Sequence, residues 1–347
     1  MMTPRERILC GLRGEKTDLI SFSMYDAFSP MCNDIDSLLH RGMGMVVHMS
    51  YSAKIWMENV DIRHVEYTEG THRMTRTTYS TPVGEVYTVQ SEGKNNPWTH
   101  EHMFKSPEDY KVLHYMLSNQ RCSAEYEPLL KKMETLGENY ILRDQLPLEP
   151  LQQLITSDMM DVMTFSMEWI ENRDEILKLY EVNAKFHEQL YEIVANGPLD
   201  FANYGGNVIP MVIGPDVFRE YYIPHYNLAA DILNSKGKFI GSHLDADNTV
   251  IMDLIGDTKL NYIEAYDPSI SPSLKVAKEK FPDKVMWINW PSGEHHRGIN
   301  DVDGITKALI EDHGSDKDLM IAITEDLPEG KWDSFLHAIL DALSYPS

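Results

Sequence analysis

The chain has 347 residues, 42% of them hydrophobic and 24% charged, with a formal net charge of −23 and only three cysteines. That balance describes an ordinary globular protein, its acidity repels nucleic-acid phosphate and sets aside DNA or RNA binding, and no apolar run reaches the roughly 18 residues a membrane helix needs. Cys10, Cys32 and Cys122 stand too far apart for a disulfide framework or a thiolate metal site, and the opening Met1-Met2-Thr3-Pro4-Arg5-Glu6 has no apolar signal region, so a cytoplasmic protein is expected.

The first helix announces itself. Thr3 and Glu6 form a capping box around Pro4, and Gly14 ends the turn. Leu19 to Asp26 then reads as a strand ending in polar groups. Over residues 60 to 105 the pattern changes: Thr75–Tyr79 and Glu85–Val89 flank Ser80-Thr81-Pro82-Val83-Gly84, a hairpin signature. From residue 107 helices and strands alternate. Short strands are predicted at Tyr140–Asp144, Phe201–Tyr204, Lys238–His243, Leu260–Glu264, Val285–Asn289 and Leu319–Glu325. Helical stripes fall between them, including one from Gly214-Pro215 through Phe218, Tyr221, Tyr222, His225, Leu228, Ala229 and Ile232.

Repeated strand–helix units imply a parallel sheet. A doubly wound open sheet competes, but no G-x-G-x-x-G or phosphate-loop pattern follows any strand. Strand after strand closes in a polar residue (Tyr204, His243, Glu264, Asn289, Glu325), and a closed barrel gathers such ends at one face. The expected fold is therefore an α/β, (β/α)8 TIM barrel, one catalytic domain over residues 1–347 with an N-terminal β-hairpin excursion at about 60–105.

His243-Leu244-Asp245 directly follows an apolar strand. With Glu325 as a third donor, His243 and Asp245 make a nitrogen–oxygen set of the kind that binds zinc; otherwise His243 hydrogen-bonds within the rim and Asp245 caps the next helix. Glu264 and Asp26 are candidate catalytic acids or bases. Tyr25, Arg143, Tyr204 and Asn207 are candidates for holding substrate, and Arg143-Asp144 offers a charge partner for Glu264. Met24 and Met211 are candidates for lining an apolar pocket. His295-His296 reads as part of a Gly-rich rim rather than a ligand pair.

Thr3-Pro4-Arg5-Glu6-Arg7-Ile8-Leu9 with Leu12-Arg13-Gly14-Glu15, the Thr81-Pro82-Val83-Gly84 hairpin, the Gly214-Pro215 to Pro224 helix, the His243 strand end and Thr324-Glu325-Asp326-Leu327-Pro328 together resemble the uroporphyrinogen decarboxylase superfamily. The resemblance spans essentially the whole chain. It implies a (β/α)8 barrel and either cofactor-free decarboxylation or methyl transfer to cobalamin on a separate corrinoid protein. The decarboxylases bind substrate carboxylates through an arginine-rich N-terminal motif, whereas the matching stretch here, Phe22 to Phe28, has no arginine.

The thiol-methylating branch binds zinc through His-x-Cys and a later Cys. Here Asp245 and Glu325 fall at the two cysteine positions beside His243. Carboxylates are harder ligands and leave a metal a stronger Lewis acid, suited to an ether or phenol oxygen. The implied activity resembles the methyltransferase I component of anaerobic O-demethylase systems, moving methyl from an aryl methyl ether to cob(I)alamin. The alternative is a metal-independent decarboxylase. The chain has no Asp-x-His-x-x-Gly for a corrinoid's lower ligand, so a partner corrinoid protein would carry the cobalamin. A homodimer is left open.

Overall fold

The computed structural model describes residues 2–93, 97–156, 158–291, 293, 301–315 and 317–345. The His295-His296 pair lies outside the described residues. The chain forms two compact units. One is drawn from residues 1–52, 125–147 and 194–347, the other from 53–124 and 148–193.

The first unit is a closed barrel of eight parallel strands: β1 Ser21–Tyr25, β2 Gly44–Ser50, β3 Tyr140–Gln145, β4 Phe201–Tyr204, β5 Phe239–His243, β6 Tyr262–Tyr266, β7 Val285–Asn289 and β8 Leu319–Ile323. They follow one another around the barrel in chain order, with β8 and β2 both pairing β1. Side chains alternate between the barrel interior and the helix-facing side. Val46, Ile141, Phe201, Tyr262, Val285, Trp287, Met320 and Ala322 pack as one buried cluster, joined by Ile8 and Leu12. These last two come from helix Pro4–Leu12, whose capping box on Thr3 is formed as the sequence predicts. The helix sits against the strand starts: a Cβ on Gly44 would stand 2.8 Å from the Ile8 Cδ1. Each such buried side chain contributes about 1.5–3 kcal/mol. With the strand starts covered this way, chemistry is left to the opposite ends.

Strand β2 is absent from the sequence prediction. Its Gly-Met-Val-Val-His-Met-Ser is Met-rich and buried over its first four residues, and has no apolar–polar alternation to mark it. Gly214, at φ 71°, breaks the segment Pro210–Tyr221, so a helix opens at Pro215 as the sequence predicts, but it ends at Tyr221 and a second helix, Ile223–Ser235, follows. Pro224 restarts the helix, because it has no N–H to continue the preceding turn. The buried face then becomes Ile223, His225, Tyr226, Ala229, Ala230 and Leu233, and Leu228 turns outward.

The second unit holds a four-stranded antiparallel sheet of Asp61–Glu69, His72–Thr81, Gly84–Ser91 and Trp98–Glu101. The predicted hairpin is its centre, with Thr81 opposite Gly84. Gly84 adopts φ 141°, which favours glycine. The outer strand Asp61–Glu69 is exposed along its whole length, so no apolar alternation marks it. A separate pair, Ala53–Met57 with Gln120–Ala124, belongs to the same unit. Among the described residues no helix is long and apolar enough to cross a membrane.

Candidate active site at the strand ends

Inward-facing residues at the C-terminal ends of the barrel strands converge on the carboxylate of Glu264, which is fully buried. Its Oε1 accepts from Arg143 Nη1 at 2.8 Å and from the Tyr25 hydroxyl. Its Oε2 lies 2.6 Å from His243 Nδ1 and accepts from Asn203 Nδ2 at 3.4 Å. Burial alone would raise the proton affinity of Glu264. The Arg143 guanidinium, then His243, outweigh it and hold the pKa at about 2. Glu264 is thus an ionised anchor, with both oxygens engaged.

The backbone supports this placement. Ala265, next in the chain, sits at φ 58°, and the β6–β7 register shifts between Glu264 and Tyr266. A non-glycine residue held there costs on the order of 1–3 kcal/mol and persists only where packing enforces it. Gly206, at φ 113° in the turn after β4, lies against the His243 ring: a Cβ there would stand 2.8 Å from the His243 Cβ and 3.1 Å from Cδ2. The glycines after Tyr204 therefore do more than turn the chain, since Gly206 leaves the space that His243 fills.

With Nδ1 taken by Glu264, His243 directs Nε2 at Asp245 Oδ2, 3.5 Å away. Burial opposes charge on this imidazole, but Glu264 and then Asp245 raise its pKa to about 10. Glu325 completes the group: one ligand atom each from His243, Asp245 and Glu325 lie within 4.8 Å of one another. Burial first, then the Asp245 charge, push the Glu325 pKa up to about 7, with Asp267 and Glu264 adding to it and His243 opposing. Asn289 steadies the approach to Glu325. Its Oδ1 accepts from Thr324 N at 3.1 Å and from Thr324 Oγ1 at 3.0 Å, and its Nδ2 donates to Asp267 Oδ2 at 3.4 Å.

The other predicted residues divide. Tyr25 and Arg143 meet at Glu264, and the guanidinium also lies over the Tyr25 ring at 5.2 Å. Asp26 pairs with His48 Nδ1 at 3.2 Å. Tyr204 faces the helices, packed edge-on to Tyr226 at 5.4 Å, because strand parity sends its neighbour Asn203 inward. Asn207 is exposed in the following turn at φ 55°. Asp144 also faces outward, accepting from Ser52 N at 3.0 Å, so only Arg143 pairs with Glu264. Met24 is fully buried on the helix-facing side of β1, and Met211 is 68% exposed.

Two residues go unnoticed in the sequence. Asn203 is hidden by the choice of Tyr204 as the strand end, although alternation from Phe201 would have found it. His48 lies on the unpredicted strand β2. Its ring stacks on Tyr25 with centroids 4.2 Å apart and planes 11° from parallel. Tyr25 lies at 6.2 Å from Phe28, which in turn contacts Trp332 at 5.1 Å, so aromatic rings line this part of the barrel end.

Fold and site together define a (β/α)8 barrel carrying a histidine–carboxylate cluster at its strand ends. No protein-family model and no curated protein matches the chain. Among solved structures it is similar to a methyltransferase from Methanosarcina mazei, with a TM-score of 0.60 at 12% identity over 99% of both chains. That likeness establishes the barrel fold. A GH18 chitinase, ChiB from the chitin utilization locus of Flavobacterium johnsoniae, aligns at a TM-score of 0.34 and 14% identity over 65% of this chain and 82% of that one, too slight a likeness to argue from.

The donor chemistry of the trio fits a divalent cation. It offers one imidazole nitrogen and two carboxylates, an accepted zinc set. The imidazole is oriented by a carboxylate on its other nitrogen, as metal-bound histidines commonly are. The neighbouring acids, which with burial raise the proton affinity of Glu325, would be relieved by a positive charge.

Proposed function

We propose that the protein is a methyltransferase that moves a methyl group from a small aryl methyl ether to the cob(I)alamin of a separate corrinoid protein. The observation that carries this reading is the donor set of His243, Asp245 and Glu325 at the strand ends, with hard carboxylates where the thiol-methylating branch that the sequence resembles has cysteines. The fold, similar in outline to a solved methyltransferase, is compatible with it.

His243 Nε2, Asp245 and Glu325 would hold the metal, with zinc the ion we favour. When bound, it would supply a Lewis acid for the ether oxygen. Glu264 fixes the His243 ring through Nδ1 and strengthens it as a donor, and Arg143, Tyr25 and Asn203 fix Glu264 in turn. Phe28, half-buried and backed by Tyr25 and Trp332, would offer an aromatic face to an aryl ring. A decarboxylase using Glu264 as acid is disfavoured, because a carboxylate held at about 2 with both oxygens occupied is a poor proton donor near neutral pH.

The test is direct transfer. Purified protein, a reduced corrinoid protein and a panel of methoxyarenes should yield the corresponding phenols and methylated corrinoid. Failure to demethylate any methoxyarene, with the corrinoid protein shown to be reduced and metal supplied, would remove this reading.

A further inference from the structure

We propose that His48, oriented by Asp26, donates the proton to the leaving oxygen; the inference rests on the methyl-transfer reading above. An unactivated ether, even with a Lewis acid on its oxygen, departs more readily as phenol than as phenolate, and the groups around Glu264 are committed elsewhere. Glu264 has both oxygens engaged, and the Tyr25 hydroxyl donates to it. Arg143 is locked in the same buried pair. His243 lies between Glu264 and Asp245, and Asp245 and Glu325 belong to the donor trio.

His48 is placed differently. Burial would raise the Asp26 pKa, but the hydrogen bond from His48 and its charge lower it, so Asp26 is ionised and accepts from His48 Nδ1. That fixes the ring orientation and leaves Nε2 with no hydrogen bond among the described residues. The side chain is 18% exposed, open enough to meet a ligand, while Asp26 is 35% exposed. Its ring lies flat against Tyr25, whose hydroxyl donates to Glu264, so His48 faces the same barrel end as the trio. A histidine steered by a carboxylate is an effective general acid.

The step balances. The ether C–O bond breaks with its electron pair left on oxygen. The acceptor's electron pair forms the new bond to the methyl carbon. The proton on His48 Nε2 passes to the oxygen, phenol departs, and solvent reprotonates the imidazole.

A leaving-group series reads this role. His48→Phe keeps an aromatic ring to stack on Tyr25 but carries no proton, and His48→Gln keeps polarity. Both should lose about 10²–10⁴-fold in transfer from an unactivated methoxybenzene and far less from a nitrophenyl methyl ether, whose phenolate leaves unaided. Asp26→Asn should show the same trend with a smaller loss. An equal loss on every donor in both His48 variants would overturn the proposal, because a structural role ignores the acidity of the leaving phenol.

A second readout needs no turnover. 4-Nitrophenol, whose ionisation is read from its colour, should bind the wild type with its oxygen hydrogen-bonded to His48, and bind both variants at least tenfold more weakly. Identical affinity and colour in all three would equally overturn the assignment. If the wild type shows the His48-dependent binding yet transfers no methyl group, the transfer reading fails and His48 stands as the partner of a phenol oxygen.

Discussion

Glu264 holds His243 by Nδ1 at 2.6 Å, which turns Nε2 toward Asp245. One buried carboxylate thereby sets the orientation of the imidazole on which the donor trio depends. Arg143 and Tyr25 on its other oxygen make that setting rigid.

Replacing Glu264 with Gln should be costly for folding. Arg143 would be left charged and buried at 2% exposure without its counter-ion. Breaking one side of a buried pair typically costs about 3–5 kcal/mol. Denaturant unfolding should show that loss. Glu264→Gln stability within about 1 kcal/mol of wild type would mean that the pair is not a structural anchor.

Gly206→Ala should disturb the site with little change in the rest of the barrel. The new Cβ would meet His243 at 2.8 Å, and φ 113° is strained for alanine. We expect about 1–3 kcal/mol of destabilisation and a weaker divalent metal affinity measured by chelator competition. Unchanged affinity would show that the His243 ring does not depend on this gap.

Asp144 gives a pH dependence away from the trio. Burial raises its pKa to about 6, against the contribution of Ser52 and Lys238. An acid whose folded pKa lies above its unfolded value favours the fold when protonated, so it costs stability as pH rises from about 4 through 6. The full cost is roughly 3 kcal/mol. Asp144→Asn should be more stable than wild type at pH 7, with the difference vanishing below about pH 4. The measurement is urea unfolding across that range, and an Asn variant less stable at pH 7 would contradict it.

How much of this was legible from residues alone follows from strand chemistry. Seven of the eight barrel strands show in the sequence because each is a short apolar run closed by a polar group, as in Ile240-Gly241-Ser242-His243 and Tyr262-Ile263-Glu264. Residue type and spacing were enough to pick out His243, Asp245 and Glu325 as one group. The internal anchoring was not legible. That Glu264 is the shared acceptor of Arg143, Tyr25, His243 and Asn203 depends on barrel closure, which brings strands distant in sequence to one point. Asn203 against Tyr204 turns on a one-residue parity that counting from Phe201 gives only once the strand's inward face is known. His48 rode on a strand with no period to announce it.

The proposed methyl transfer depends on His243, Asp245 and Glu325 binding one divalent metal ion. That binding is tested most directly by the metal content of purified wild type beside His243→Ala and Glu325→Gln, with folding of each checked by circular dichroism. Close to one equivalent of zinc per chain is expected in the wild type and a small fraction of that in both variants. Equal metal in all three folded proteins, or none in a wild type loaded with zinc, would contradict it.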